Sequence, residues 1–125
     1  MFKVIQTDKA PAAIGPYSQA LVHGNFLFAS GQIPINSENG QIVEGDIKVQ
    51  ALQVMKNVQA ILEAAGVTFE NVIKTTCFLK NMDDFAAFNE VYAQYFTGKP
   101  ARSCVAAAKL PMDVLCEVEV IAVVE

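Results

Sequence analysis

The chain has 125 residues, enough for one domain with its own core, and 53% of them are hydrophobic against 18% charged. Nine basic residues, only one of them arginine, against thirteen acids give a formal net charge of −4 with no basic stripe, which argues against nucleic acid as a partner. Three cysteines without a CxxC pair and one histidine leave no metal-ligand cluster, and no apolar run is long enough to cross a membrane.

In chain order, Phe2–Gln6 reads as a short strand and Lys9–Gln19 as a loop punctuated by Pro11, Gly15 and Pro16. Ala20–His23 and Phe26–Ser30 read as a hairpin turned by Gly24-Asn25. Gln32–Glu44 is a loop with a short strand at Gln41–Val43. Asp46 is an N-cap, after which Ile47, Ala51, Val54, Met55, Val58, Ile61, Leu62 and Ala65 recur at helical spacing up to a stop at Gly66. Val72–Leu79 is β-branched and aromatic, hence a strand. Asn81 caps a second helix with an apolar stripe of Phe85, Phe88, Val91, Tyr92, Tyr95 and Phe96. Two strands close the chain, near Ala101–Ala107 and Cys116–Val124.

Two helices can cover one face of such a mixed sheet, and nothing remains to cover the other. In the last strand Val118, Val120, Ala122 and Val124 point one way, while Glu117, Glu119, Ile121 and Val123 point the other. That half-apolar second set suits packing against another copy, which the low charge content also favours. The N-terminus, MFKVIQTDKAP, has no hydrophobic run of the secretory kind, and three unpaired thiols fit a reducing cytoplasm.

Chemistry concentrates in few residues. Arg102 lies in the apolar run PARSCVAA. Its planar fork can grip a carboxylate with two parallel hydrogen bonds, or it can form a buried or interfacial salt bridge. With the acids of the last strand it suggests a small pocket for an anionic substrate. Cys104 shares its strand face, but no activating base is evident beside it, so it reads better as a pocket wall than as a nucleophile. Glu117 can position a water or move a proton, whereas Glu119 reads as an edge or interface acid. Tyr17, in the Gly-Pro loop, either closes over a ligand or plugs the core edge. Ser30 and Gly31 end a strand, where the glycine lets backbone approach a ligand.

Together these segments resemble the RidA family, the reactive intermediate deaminases also called YjgF or Rid proteins. The resemblance rests on IGPYSQA (Ile14–Ala20), ASGQIP (Ala29–Pro34), NVQAILEAAG (Asn57–Gly66), VIKTTCFLKNMDDFAAFNEVY (Val72–Tyr92), PARSCV (Pro100–Val105) and CEVEVIA (Cys116–Ala122). It runs over the whole chain and implies a single domain over residues 1–125. The fold it implies is α+β, similar to the small trimeric chorismate mutase: a mixed sheet with two helices on one face, three copies closing a central barrel. It further implies hydrolysis of enamines and imines, such as 2-aminoacrylate, released by pyridoxal-phosphate enzymes. The products are 2-keto acids and ammonia, and neither cofactor nor metal takes part. The implied sites lie in clefts between subunits and fall on Arg102, Cys104, Glu117, Tyr17, Ser30 and Gly31. The short segment Phe96–Lys99, the alanines after PARSCV and Cys116 depart from the usual pattern without removing a site residue. Some relatives are assigned as non-catalytic ligand-binding regulators or chaperone-like proteins, others as nucleases. The acidic charge disfavours the nuclease, and the pairing of Arg102 with Glu117 favours the enzyme.

Overall fold

The computed structural model describes all 125 residues. Its strands are β1 (Lys3–Ile5), β2 (Ala20–His23), β3 (Phe26–Ala29), β4 (Ile35–Asn36), β5 (Gln41–Ile42), β6 (Val72–Leu79), β7 (Ala101–Ala106) and β8 (Cys116–Val123). Helix α1 (Ile47–Ala64) precedes β6, and α2 (Phe85–Tyr95) joins β6 to β7.

Local chemistry accounts for the element ends. Asp46 accepts a hydrogen bond from the Val49 amide at 3.1 Å, capping α1. Gly66, at φ +78°, takes the left-handed turn that stops it. Asn81 caps a 3-10 turn, Met82–Asp84, rather than α2 itself, and the turn feeds into the helix. The first strand is shorter than its apolar pattern predicts, and the Gln41 strand pairs with Ile35–Asn36, a two-residue partner too short to show any alternation.

Six strands form one sheet in the order β1-β2-β3-β8-β6-β7. All neighbours run antiparallel except β6 and β7, which are parallel because α2 returns the chain across the sheet. Both helices lie on one face. From α1, Val54, Met55, Val58 and Ile61 meet Phe88 and Val91 of α2, and together they cover Leu27, Cys77, Leu79, Val118, Val120 and Ala122. Burying these side chains is the main driving force for the fold.

No element covers the opposite face. Along β8 the buried Cys116, Val118, Val120 and Ala122 alternate with Glu117, Glu119, Ile121 and Val123. On β3, Phe26 and Phe28 are each 43% exposed while Leu27 between them is fully buried. The open apolar face expected from the alternation is therefore present. No helix is long and apolar enough to cross a membrane.

Candidate functional site

Strand β7 is the sheet edge, and its phase is set by pairing Arg102 with Thr75 and Cys104 with Cys77 on β6. Thr75 and Cys77 are fully buried beneath the helices, so Arg102 and Cys104 point to the helix-covered side. There the half-buried guanidinium lies over the Tyr92 ring, 4.6 Å from its centroid, and 5.4 Å from that of Phe85. Both distances are within cation–π range. Arg102 donates one hydrogen bond, from Nη1 to Asn89 Oδ1 at 2.7 Å. An arginine has five N–H donors, so four have no partner in the chain. The two ion pairs present, Lys48–Glu90 and Lys80–Asp113, do not involve it. A guanidinium covered by rings on one side and without an acidic partner on the other is free to accept an anion.

Glu117 belongs to the other face. It pairs with Phe78, three positions from Thr75 and so oppositely directed. After β3 the chain runs beside β8: Gln32 N donates to Val118 O at 2.8 Å, and Val118 N returns the bond to Gln32 O at 3.1 Å. This lays Gly31 directly under Glu117. A Cβ at Gly31 would stand 2.1 Å from Glu117 Oε2, so only glycine permits the carboxylate to rest there. Burial, then the like charge of Glu119, push the Glu117 carboxyl above its usual range. No hydrogen bond within the chain fixes its oxygens.

Ser30 donates to Ser18 O at 2.6 Å and ties the Gly-Pro loop to the end of β3. Gln19 holds the loop's other side, accepting from Thr7 N and donating to the carbonyls of Thr7, Ala10 and Pro11. Tyr17 projects from this frame, 54% exposed, so it does not plug the core. An open hollow of about 590 Å³ is lined by Tyr17, Ser30, Phe2, Leu21, Phe28 and Glu119. Glu119, not Glu117, borders that hollow.

The residues singled out from the sequence therefore divide. Tyr17, Ser30, Gly31 and Glu117 gather near the end of β3, whereas Arg102 and Cys104 lie on the other side of the sheet. The strand register thus sets Arg102 and Glu117 of one chain on opposite faces of the sheet. Asn89 and Thr75 carry no functional signal in the sequence, and Tyr92 reads there only as part of the apolar stripe. Asn89 sits at helical spacing beside that stripe, and this position is all that marks it. Cys104 is a poor nucleophile: burial raises its thiol, and the nearby Arg102 charge only partly opposes this. Cys77 and Cys116 are buried, with thiols pushed up to about 12 by desolvation. No group of three His, Cys, Asp or Glu is placed to hold a metal ion.

The family described as Endoribonuclease L-PSP matches residues 7–124. A RutC family protein of Pyrococcus horikoshii is 58% identical over 123 residues, covering 98% of each chain. A 2-iminobutanoate/2-iminopropanoate deaminase of Escherichia coli K12 is 50% identical over 127 residues, covering 98% of each. The crystal structure of E. coli TdcF with bound serine has a TM-score of 0.93 at 46% identity, covering 98% of this chain and 99% of that one.

Proposed function

Because the chain belongs to the Endoribonuclease L-PSP family, which includes the RutC, Rid and YjgF proteins, we propose that it is a deaminase of 2-imino acids working as a homotrimer with shared sites. The substrates are 2-iminopropanoate and 2-iminobutanoate, with 2-aminoacrylate reaching the site as the imine tautomer. The E. coli relative named for this activity supports the substrate class. The uncovered sheet face supports association, and the opposite facing of Arg102 and Glu117 supports a site to which two copies contribute. Arg102 and Cys104 of one copy then meet Glu117, Gly31, Ser30 and Tyr17 of the next.

The chemistry asks little of the protein. The Arg102 fork takes the substrate carboxylate, and Cys104 walls the site beside it. The imine carbon is already electrophilic, so neither covalent catalysis nor a metal is required. Glu117 accepts a proton from water as its oxygen bonds to that carbon, giving a carbinolamine. Returning the proton to nitrogen makes ammonia the leaving group; as the C–N bond breaks, the carbinolamine hydroxyl passes its proton to Glu117 and becomes the carbonyl of the 2-keto acid. A carboxyl lifted by desolvation suits these proton transfers better than an ordinary one. Positioning can supply much of the rate gain.

The observation that carries this reading is Arg102, backed by aromatic rings and hydrogen-bonded yet without a carboxylate. The test generates 2-aminoacrylate in situ and follows keto-acid and ammonia release with and without the protein. Arg102→Lys keeps the charge and loses the fork. At about 1.5–3 kcal/mol for the charged hydrogen bonds, keto-acid affinity and kcat/KM should fall roughly 10- to 100-fold. Near-normal turnover by a folded Arg102→Lys protein would make the arginine structural. Keto-acid binding without turnover by the unaltered protein would make it a ligand-binding regulator.

A further inference from the structure

We infer that Asn89 is a positioning residue for the anion clamp: its neutral amide fixes one nitrogen of Arg102 and leaves the rest of the fork to a ligand carboxylate. The inference rests on the deaminase reading only for the identity of that ligand.

A guanidinium at the end of a long side chain needs two restraints to present one edge. The Tyr92 ring, its centroid 4.6 Å from Cζ, backs one side of the group and restrains its tilt. Tyr92 is itself pinned through a 2.8 Å hydrogen bond between its hydroxyl and Oγ1 of the fully buried Thr75. The ring does not fix rotation of the group within its own plane. The hydrogen bond from Nη1 to Asn89 Oδ1 does.

The residue type matters as much as the bond. An aspartate in this position would fill the same space and accept the same hydrogen bond. It would also neutralise Arg102 and compete for its fork. The chain keeps its nearest helix acid away: Glu90, the next residue, pairs with Lys48 of α1. An amide thus orients the cation without spending its charge, and α2 joins the binding machinery through a residue that need not touch substrate.

Asn89→Asp and Asn89→Ala separate this role from simple packing. Because Arg102 is the only arginine in the chain, its guanidinium NMR signals are unambiguous. In the unaltered protein, rotation about Cζ–Nη should be slow. In Asn89→Ala it should average, with pyruvate affinity by calorimetry falling about 5- to 10-fold. In Asn89→Asp rotation should stay slow and the melting temperature hold or rise, yet pyruvate affinity should drop at least 30-fold, with KM rising more than kcat falls. A merely structural Asn89 predicts an Asn89→Asp protein that binds pyruvate normally, and that result overturns the inference. So does an unaltered guanidinium spectrum in Asn89→Ala. An unaltered protein that binds pyruvate but hydrolyses no imine defeats the deaminase reading and leaves the positioning role standing. One that neither binds nor turns over defeats both.

Discussion

Strand β7 turns Arg102 toward α2, and β8 turns Glu117 away from it, so the two charged groups of the proposed site live in different surroundings. The cation is held by a ring on its face and an amide on its edge. The acid rests on bare backbone at Gly31 with no hydrogen bond to its oxygens. The contrast suits the two roles proposed for them. A clamp works by having one orientation before the ligand arrives, whereas a proton carrier must reach first a water and then a nitrogen. The sheet between them also prevents the chain from quenching its own arginine with its own glutamate.

That comparison is most strongly tested by removing the acid. Glu117→Gln keeps the size of the side chain and loses the base, so imine hydrolysis should fall roughly 100-fold or more while keto-acid binding persists or tightens. Glu119→Gln borders the open hollow and should change turnover far less. Steady-state assays of both variants decide, and an inactive Glu119→Gln with an active Glu117→Gln would reverse the assignment. The separation of the halves predicts something rarer. Arg102→Ala and Glu117→Gln chains, each inactive alone, should regain activity when unfolded and refolded together. In randomly mixed trimers with shared sites, about one site in four draws both intact residues, so about a quarter of normal activity should return. No recovery in verified mixed trimers would place both residues in one copy's site.

Smaller changes sharpen the picture. Gly31→Ala drives a methyl into the resting place of Glu117. The carboxylate is the flexible end and can yield, so the expected loss is about tenfold in kcat, with little change in melting temperature. A large drop in stability would mean that the glycine serves the strand rather than the acid. The gentlest test is pH. Glu117 has a raised carboxyl in the folded chain, so folding favours its protonated form. That contribution is present below the unfolded value and is lost as pH rises through the folded one. Glu117→Gln should therefore melt slightly higher than the unaltered protein at pH 7, by roughly a few degrees at most, with the difference closing toward pH 4. Thermal melts across that window would show it, and a gap that widens toward acid pH would mean the shift has the opposite sign.

Much of this is legible in the sequence. The hairpin around Gly24-Asn25, α1 between Asp46 and Gly66, and the strand Val72–Leu79 follow from local turn, capping and β-branching chemistry. The alternation along β8 separated Val118 from Glu117 correctly, and the open face followed from it. What stayed hidden was the relation between strands. Alternation fixes the phase of one strand and says nothing of its neighbour. That Arg102 and Glu117 face apart depends on both pairing with β6, at Thr75 and Phe78 respectively. The Asn89–Arg102 bond was hidden for the same reason, since it joins a helix to an edge strand across 13 residues. The β4–β5 ribbon was half hidden because two residues carry no period.

The facing of Arg102 and Glu117 also bears on inheritance. In the proposed trimer each chain serves two sites, giving its arginine to one and its glutamate to another. A chain lacking only one of them spoils a single site in a mixed assembly. A chain lacking both spoils two of three, so it would suppress the output of a normal copy made beside it. Severity in a cell carrying two alleles would then depend less on how badly one chain is damaged than on how many neighbours it is given.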